Sequence, residues 1–542
     1  MKESIKKLVA MIVAASSTVG SIGLFAACGG GNEVDPTVTK VALIEKGYGS
    51  AFLDALVEEY NKTATTKVEI AETTSFMDYV ETTLLSGPKA NDVDLYFSIQ
   101  GNNGAFGYIS QGKASGYDCI FEDLSDVYNA VPAGYGESGK PFKEMLNEYF
   151  VEASTYTDGK QYLIPWATGV EGLVYNTALF EKYNLSVPRT TNELFALCDS
   201  MMQVNANGQK TPKYKNSKNI DIYPYTFSGK VNYGMYLNTV WWAQFEGIDT
   251  FNNFLEGKDA NGNLTPDIFA QEGRLSAYKN YHKLISKASG YTDVNANGND
   301  FTTAQSAFLK EEALMIATGD WVEREMESSS SNIKTIEFMP IPVNSDIINE
   351  GSALPDHSIK TEADLCAVID YVNGKAQTLP AGVSEDDVDF VASAMSMYMT
   401  EGDGHVMFVP SYANQIAGAK DFISFVISKK GQEIMVQTGM GNRVPMDVDM
   451  TAMDSYAGLS QFQKSKMNIM DGVTYVGRKY NSAIAFNGGL SLWYSVDTNT
   501  CDSAFSMNTS SSSYKDAFTY WKRECETMKS QWDNILQNAG IK

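Results

Sequence analysis

Short apolar runs alternate with amphipathic stretches along the first hundred residues of the chain that follow its N-terminal segment. The runs are rich in β-branched and aliphatic residues, and the stretches between them repeat apolar residues every three or four positions. This pattern predicts strands at 38–44, 67–70 and 93–97, and helices at 51–60 and 76–85. Because strands alternate with helices, we expect an α/β lobe with a mainly parallel sheet, which would bind ligands beyond the carboxyl ends of its strands.

The stretch from Gln161 to Asn176 divides this pattern in two. It contains the sequence QYLIPWATGVEGLVYN, in which one apolar run ends at Pro165 and Trp166 and a second one ends at Asn176. The glycine-flanked segment between the runs is typical of a turn. We therefore predict strand, turn and strand, and we interpret the stretch as the crossing point between two lobes. Trp166 then lies either at a ligand-binding seam or in ordinary core.

Beyond the crossing point the pattern predicts further helices and strands. Thr190, followed three residues later by Glu193, indicates a capping box at the start of a helix. An apolar run at 313–317 predicts a strand that ends in the turn Gly319-Asp320-Trp321. A continuous amphipathic pattern at 419–438 predicts one helix, which Gly439 ends. Other helices are predicted at 238–245, after Thr302 or Thr303, and at 514–538.

The N-terminus has the pattern of a secretory targeting segment. Lys2, Lys6 and Lys7 form a basic front, and the mostly apolar stretch 8–25 follows them. A transmembrane anchor is the alternative, since the stretch is nearly long enough to span a bilayer. Polar residues interrupt the stretch, however, and small residues follow it, which favours a cleaved signal.

Leu24-Phe25-Ala26-Ala27-Cys28 resembles the lipobox of bacterial lipoproteins. Phe25 departs from that pattern, because the family prefers a smaller aliphatic residue at this position. The resemblance implies a signal peptide at 1–27 and a lipid on Cys28, which would anchor the protein without a spanning helix. The glycine-rich segment 28–36 would then be a flexible tether.

Length and composition limit the classes of partner. The 542 residues are too many for one hydrophobic core, so we expect at least two domains or lobes. A formal net charge of −24 makes nucleic acid and anionic membrane surfaces poor partners. Aromatic residues make up 12% of the chain, which suits ligands that stack on rings, such as sugars, although large cores also use aromatics.

Six cysteines occur in the chain, and five remain once Cys28 is assigned to the lipid. Cys501 and Cys525 either pair across a serine-rich loop or stay free. No CxxC motif and no zinc-ligand spacing is present. Buried thiols are predicted, from their apolar surroundings, for Cys119, Cys198 and Cys366.

Catalytic and cofactor-binding motifs are absent from the sequence, which lacks the HExxH, GxSxG and Walker A patterns. Three dispersed histidines are too few for a metal cluster. The many acidic residues show no spacing that marks a pair of carboxylates for glycoside hydrolysis, and that alternative stays open. We therefore assign no catalytic residue, no cofactor and no metal site.

One stretch resembles the beginning of an EF-hand calcium loop. Asp293, Asn295, Asn297 and Gly298 match the early positions of such a loop. Ala304 occupies the twelfth position, where the loop needs a bidentate Glu. A surface turn is the alternative, because Asn-Gly pairs are common in loops, and calcium binding at this stretch stays open.

Four sets of motifs occur in a characteristic order. The first is the crossing stretch, Leu163-Ile164-Pro165-Trp166 to Gly172-Leu173-Val174-Tyr175-Asn176, with its continuation to Leu194. The others are Trp241 to Gly247 (WWAQFEG), Phe308 to Trp321 (FLKEEALMIATGDW), and Ala419 to Ser428 with Gly439 to Pro445. Together they resemble the extracellular solute-binding proteins of ABC sugar importers, the maltose-binding-like group of solute-binding family 1. The resemblance covers most of residues 36–500, and the region after about residue 450 is longer than usual.

This resemblance implies a type II periplasmic-binding-protein-like fold. Two α/β lobes with mainly parallel central sheets would be joined by a hinge of several segments and would close on a ligand in the cleft. No chemistry occurs on the ligand in this family, so we do not expect an enzyme. The implied division places 37–160 and 306–400 in the N-lobe, and 161–305 and 401–542, with the C-terminal helices, in the C-lobe.

Position within the family motifs implies eight ligand-binding residues. Aromatic rings would stack on sugar faces, while polar side chains would bind the hydroxyl groups. Packing or hinge support is the alternative for Trp242, Trp321 and Arg443. Trp493, beside Gly488-Gly489, is a further candidate. The eight residues are Tyr48, Ser98, Trp166, Trp241, Trp242, Asp320, Trp321 and Arg443.

The function implied is that of a lipid-anchored protein on the extracellular face of the cell membrane. It would deliver a carbohydrate, and specifically an oligosaccharide, to the permease subunits of an ABC transporter. We expect a monomer that contacts the membrane through its lipid and does not bind nucleic acid. Two alternatives stay open: a secreted glycoside hydrolase, and a surface sensor or adhesin that uses the same fold without an importer.

Overall fold

Two β-sheets, one in each of two lobes, organise the chain from Thr37 to Lys542 in the computed structural model. The structure describes residues 35, 37–44, 47–71, 77–99, 104–135, 139–167, 169–231, 233–328, 331–400, 404–477, 482, 484 and 501–542. The predicted signal peptide, Cys28 and Trp493 lie outside these residues, as does most of the predicted tether.

The strands are numbered in chain order. The described strands are β1 Val38–Leu43, β2 Lys67–Ile70, β3 Leu95–Ile99, β4 Ile164–Pro165, β5 Glu171–Asn176, β6 Met202–Val204, β7 Lys210–Pro212, β8 Tyr223–Thr226, β9 Ala313–Gly319, β10 Ile336–Met339, β11 Met397–Met399, β12 His405–Phe408 and β13 Thr474–Val476. The first sheet has the order β2-β1-β3-β12-β4. The second has the order β13-β11-β5-β9-β8, with β10 also on β5, and β6 pairs with β7 separately.

The helices are numbered in the same way. The described α-helices are α1 Ala51–Asn61, α2 Met77–Ser86, α3 Gly104–Ala114, α4 Ser125–Asn129, α5 Phe142–Met145, α6 Glu148–Ser154, α7 Thr177–Lys182, α8 Thr191–Ser200, α9 Met235–Glu246, α10 Ile248–Leu255, α11 Glu272–Ile285, α12 Phe301–Leu309, α13 Val322–Met326, α14 Glu362–Val372, α15 Glu385–Met395, α16 Ile416–Val426, α17 Lys429–Thr438, α18 Gln461–Met470, α19 Cys501–Ser506 and α20 Ala517–Asn538. None of the described helices is long and apolar enough to cross a membrane.

The first sheet follows the predicted alternation of strands and helices. β1 pairs in parallel with both β2 and β3, and Val41 lies opposite Ile70 on one side and Leu95 on the other. Parallel neighbours need a crossover connection, which α1 and α2 provide. Phe52 of α1 and Phe97 of β3 then pack together in the core of this lobe.

The second sheet is mixed. β8 and β9 are parallel, as are β11 and β13, whereas β5 runs antiparallel to β9, β10 and β11. In the first sheet β12 likewise runs antiparallel to β3 and β4. The predicted α/β class with two lobes is confirmed. The sheets are less parallel than predicted, because β5 and β12 enter directly from the other lobe.

Strand pairing corrects the predicted division of the chain. The range 306–400 was expected in the N-lobe, but its strands β9, β10 and β11 pair in the second sheet. The range 401–542 was expected in the C-lobe, but β12 pairs in the first sheet. A buried strand has the same apolar pattern in either sheet, so the sequence pattern does not distinguish them. We therefore define the first lobe as the described residues of 37–165 and 405–446, and the second lobe as the described residues of 171–399 and 450–542.

Three segments carry the described chain between the lobes. The first joins β4 to β5, which belong to different sheets, so the predicted crossing point is confirmed. The second joins β11 to β12. The third follows α17, where the backbone N–H of Asn147 donates to Pro445 (3.0 Å) and that of Asp447 donates to Met145 (2.7 Å). These two bonds hold the third segment against the first lobe.

Two predicted helix boundaries are wrong, and side-chain caps explain both. The pattern at 419–438 forms two helices, α16 and α17, because the Ser428 hydroxyl accepts a hydrogen bond from the backbone of Gly431 (3.1 Å) and starts a new helix. Helix α12 is capped by Asp300, whose carboxylate accepts from the backbone of Thr303 (2.8 Å), and not by a threonine. Apolar periodicity continues through both caps and therefore does not reveal them.

None of the described cysteines forms a disulfide, so the possible pairing of Cys501 with Cys525 does not occur. Cys501 accepts a hydrogen bond from the Asn238 amide (3.4 Å), and the Cys525 thiol donates to the carbonyl of Phe269 (2.9 Å). Cys198 and Cys366 are buried, as predicted, and Cys119 is half-buried.

Glu246, at the end of α9, caps the start of α11. Its carboxylate accepts a hydrogen bond from the backbone N–H of Gly273 (2.8 Å), which is favourable at a helix N-terminus. Burial outweighs this bond, and together with the nearby charge of Glu272 it raises the pKa of Glu246 to about 7. The folded protein therefore binds a proton that the unfolded chain releases between about pH 4.5 and 7.

We expect the Glu246→Gln variant to be more stable than the parent protein at pH 8 and equally stable near pH 4.5. Stability of the parent should fall as pH rises from 4.5 to 7, since over that range the unfolded chain releases the proton that the folded state still binds. The gain in unfolding free energy at pH 8 should be about 1–3 kcal/mol. Urea unfolding at both pH values measures it, with the exposed Asp249→Asn as control. A gain that does not depend on pH would contradict the assignment.

Candidate functional site

Three aromatic rings meet at the edge of the first sheet that faces the second lobe. Tyr48 follows β1, Trp166 follows β4, and His405 begins β12. The ring centroids of Tyr48 and Trp166 lie 5.9 Å apart, and the His405 ring lies 5.4 Å from Tyr48 and 5.2 Å from Trp166. The indole N–H of Trp166 donates to the carbonyl of Ser98 (3.0 Å). Tyr48, Ser98, Trp166 and His405 therefore lie together, because the strands next to them end or begin at the same edge of the sheet.

Trp166 combines a position in the core with contacts to the ring cluster, and its role in ligand binding stays a prediction. Its indole is fully buried and stacks on Phe52 at 5.2 Å, so it belongs to the core of the first lobe. It also lies directly against Tyr48 and His405 at the boundary between the lobes. Ser98 contributes its backbone carbonyl to this arrangement. Trp166 therefore supports the surface that the first lobe presents to the cleft.

Asp320 occupies the corresponding edge of the second sheet. It directly follows β9, and its backbone N–H donates to Val170 in the first crossing segment (3.0 Å). Glu171, the first residue of β5, lies opposite Gly319 in one neighbouring strand and Met399 in the other. The second sheet therefore places two buried carboxylates, those of Glu171 and Asp320, where the chain enters from the first lobe.

A hydrogen-bonded contact joins the two edges. The Tyr48 hydroxyl donates to Asp320 Oδ1 (2.6 Å), and Lys466 Nζ of α18 donates to Asp320 Oδ2 (2.7 Å). Both partners of the ion pair are buried. Tyr48 belongs to the first lobe, whereas Asp320 and Lys466 belong to the second. One carboxylate thus bonds to both lobes at once.

Trp321 lies beside this contact, and two glycines allow its close packing. A Cβ on Gly319 would meet the indole ring at 2.3 Å, and one on Gly47 would meet Trp321 Cβ at 2.8 Å. Gly47 also has a φ of +91°, which a side chain would strain. The indole further contacts Tyr233 and Tyr236, each at 6.4 Å between centroids. The first lobe therefore reaches Trp321 through a glycine turn next to Tyr48.

Arg443 lies nearer to the hinge than to the ring cluster. It is buried just before the third crossing segment, and its Nη1 donates to the carbonyl of Met446 (2.6 Å). It lines a cavity of about 440 Å³ together with Asp447. Burial lowers the pKa of Arg443 and raises that of Asp447. Its position favours the alternative of hinge support over direct ligand contact.

Tyr475 of β13 is buried close to this hinge region, and its ring centroid lies 5.2 Å from that of Phe150. Burial raises its pKa, and the charged groups that influence it are Arg443, Glu171, Asp447 and Asp320.

The structure does not bring Trp241 and Trp242 to this cluster. Trp241 is fully buried, and its indole N–H donates to the carbonyl of Pro342 (2.9 Å). Trp242 donates to the Gln271 side chain (2.8 Å) and packs edge-on against Phe254. Nearly all of α9 is buried, so this helix lies inside the second lobe. The sequence motif identified the indoles but not the direction in which they point.

Four cluster residues were missed by the sequence analysis. Glu171 had a signal, because it is a lone carboxylate in an apolar strand, and a buried charge of this kind needs a partner or a function. His405 is one of only three histidines in the chain. Lys466 and Tyr475 have no local signal, since their partners in the cluster are remote in sequence.

The calcium-like stretch forms a capped turn. Asp293 accepts a hydrogen bond from the backbone of Asn295 (2.9 Å), a short 3₁₀ turn covers Ala296–Gly298, and Asp300 caps α12. Within the described ranges, no group of three or more His, Cys, Asp or Glu side chains is arranged to hold a metal ion. The cluster between the lobes instead offers rings, carboxylates and one ammonium group, which suit hydrogen bonding and stacking.

A family profile described as bacterial extracellular solute-binding protein matches residues 55–464. No curated protein sequence matches the chain. These residues include Asp320, Trp321 and the first two crossing segments, whereas Lys466 and Tyr475 lie beyond the match.

Solved structures share the fold at low sequence identity. The apo form of RafE from Streptococcus pneumoniae is 15% identical, with a TM-score of 0.55, over 92% of this chain and 99% of its own. A probable secreted solute-binding lipoprotein from Streptomyces coelicolor is 13% identical, with a TM-score of 0.55, over 92% of this chain and 99% of its own. Maltose-bound MalE3 from T. maritima is 14% identical, with a TM-score of 0.51, over 91% of this chain and 99% of its own. The predicted type II periplasmic-binding-protein-like fold is thereby confirmed.

We expect the Tyr48→Phe variant to shift the ligand-free protein towards separated lobes. The lost hydrogen bond ends on a carboxylate, and such bonds contribute roughly 1.5–3 kcal/mol, so the open population should rise about tenfold or more. Small-angle X-ray scattering should show a larger radius of gyration than that of the parent protein.

The matched control for this measurement is Tyr60→Phe. Tyr60 makes the same kind of bond, to Asp421 (2.7 Å), but both residues belong to the first lobe. Its removal should leave the scattering curve unchanged. Identical curves for Tyr48→Phe and the parent protein would show that the Tyr48–Asp320 bond does not hold the lobes together.

Proposed function

This chain belongs to the bacterial extracellular solute-binding proteins, and on that premise we propose that it captures an oligosaccharide between its lobes and delivers it to an ABC importer. Family membership places the protein outside the cytoplasm, in the extracellular or periplasmic space. The ligand would be held and released intact, so no catalytic residue is assigned. Permease subunits would bind the closed form.

The single observation that carries this proposal is the contact of Tyr48, Asp320 and Lys466 between the lobes. A carboxylate and an ammonium group bind hydroxyl groups through charge-assisted hydrogen bonds. Trp321 follows Asp320 directly in the chain and lies against Gly47, the residue before Tyr48, so an indole is close to these polar groups. Polar groups beside an aromatic face suit a sugar ring, which has hydroxyls at its rim and apolar C–H groups on its faces.

Two structural neighbours support a carbohydrate as the ligand class. RafE has been determined in complex with raffinose, and MalE3 has been determined with bound maltose. Both share the fold of this chain, and we place the ligand of this chain between its lobes as part of the proposal. The proposed site of this chain comprises Tyr48, Asp320, Trp321 and Lys466, with Trp166 as the support beneath Tyr48.

The lipid anchor is part of the same proposal. A diacyl group on Cys28 would hold the protein at the membrane, and the glycine-rich residues after it would let the lobes reach a transporter. A monomer suffices, because the site is assembled within one chain.

We expect isothermal titration with maltose, raffinose, xylobiose and N,N′-diacetylchitobiose to identify a ligand, and Trp321→Ala to weaken its binding about tenfold or more. Loss of ring stacking and of apolar burial explains this effect. Trp521→Ala is the control, since Trp521 lies on α20 of the same lobe and its indole donates to Gln271.

Two results of this titration would count against the proposal. Absence of binding to every sugar would contradict the proposed ligand class. Chromatography of the same mixtures after long incubation should show unchanged sugar, and the appearance of shorter products would favour a hydrolase instead.

We expect the Cys28→Ala variant to lose its attachment to the membrane. Without a thiol to carry the lipid, the secreted chain should move from the membrane fraction to the medium or periplasm. Metabolic labelling with a palmitate analogue should mark the parent protein and the control Cys119→Ala, but not Cys28→Ala. Membrane retention of an unlabelled Cys28→Ala protein would disprove the lipid anchor.

A further inference from the structure

Lys466 brings a buried positive charge to the cleft. It is the only lysine among the described residues that is buried, with a side chain 2% exposed. Its partner Asp320 is fully buried, and the two charged atoms lie 2.7 Å apart. Lys466 also lies just beyond residue 464, where the family match ends. The cation is therefore supplied by a part of the chain that the family profile does not cover.

Stability alone does not account for this ion pair. A buried pair often contributes little, because removing both charges from water is unfavourable, and apolar replacements are commonly neutral or stabilising. The same helix buries Met467 and Met470, so its inner face accommodates apolar side chains of similar length. Stability therefore does not explain why an ammonium group occupies this position, which indicates that the group has a role in the cleft.

Separation of the lobes would leave the ion pair intact. Lys466 and Asp320 both belong to the second lobe, whereas Tyr48 belongs to the first. Opening therefore removes the Tyr48 hydroxyl from Asp320 Oδ1 but leaves Lys466 on Oδ2. The open second lobe then presents an acceptor oxygen next to an ammonium group, which has three N–H donors in all.

We infer that Lys466 is a specificity-determining residue, and that it binds two adjacent hydroxyl groups of the ligand together with Asp320. One hydroxyl donates to Asp320 Oδ1 in place of Tyr48, and the oxygen of its neighbour accepts from Lys466 Nζ. The ligand class is an uncharged saccharide with a vicinal diol beside the ring face that stacks on Trp321. A carboxylate at this point would be repelled by Asp320 and by the nearby Glu171. This inference rests on the proposed function.

The test compares Lys466→Met with Lys464→Met by isothermal titration. Lys464 is on the same helix, but its ammonium group is exposed and bonds to the carbonyl of Ala457. The probes are maltose, raffinose, xylobiose and N,N′-diacetylchitobiose, with the monodeoxy derivatives of whichever sugar binds. Lys466→Met should weaken binding of that sugar roughly 10- to 100-fold, while Lys464→Met should leave it unchanged.

The monodeoxy sugars distinguish a direct contact from a structural effect. If Lys466 binds one hydroxyl, the derivative that lacks this hydroxyl should bind the parent protein and Lys466→Met with nearly equal affinity. A general disturbance of the cleft would weaken all sugars by the same factor and would overturn the inference. The double variant Lys466→Met/Asp320→Asn removes both charges, and it should remain folded and bind the diol sugar and its deoxy forms alike.

The remaining outcomes separate this inference from the proposed function. If the parent protein binds a sugar and folded Lys466→Met binds it within twofold, the inference is overturned and the proposed function stands. If the parent protein binds none of the sugars, the proposed function fails and the inference fails with it.

Discussion

The buried carboxylate of Asp320 is the constraint on which the arrangement of the two lobes depends. A carboxylate removed from water needs partners, and here Lys466 is supplied by the same lobe and Tyr48 by the opposite one. Asp320 is held in place by the end of β9 and by a backbone bond to Val170 in the first crossing segment. Separation of the lobes therefore frees one oxygen of Asp320 for a ligand hydroxyl, whereas Lys466 stays bonded to the other. A sugar hydroxyl that replaces the Tyr48 hydroxyl satisfies the carboxylate equally well.

The crossing topology connects this contact to the hinge. The chain passes between the lobes at three described places, and a buried side chain marks each one: Trp166 at the first, His405 at the second and Arg443 at the third. The first two belong to the ring cluster with Tyr48, and the third bonds to the carbonyl of Met446 at the start of the third segment. The site therefore lies next to the segments in which a change of the angle between the lobes would be absorbed.

Local sequence patterns predicted most of the strands, helices and turns. The pairing of segments that are remote in sequence was not predictable from them. The crossing stretch, the early strand–helix alternation and the turn at Asp320 follow from nearby residues. The lobe to which β9 or β12 belongs does not, because each strand pairs with partners far away in the chain. The same limit applies to the site: Trp241 lies in a motif yet points into the core, and Lys466 has no motif because Asp320 lies 146 residues before it. Helix caps such as Ser428 were missed because apolar periodicity continues across them.

A crystal structure of the protein grown with the sugar that binds it would show whether a ligand hydroxyl replaces Tyr48 on Asp320. We expect the sugar to lie between the lobes, with one face on Trp321, a hydroxyl on Asp320 Oδ1, and Tyr48 displaced from that oxygen. A sugar bound to one lobe alone, with the bond between Tyr48 and Asp320 intact, would contradict this expectation.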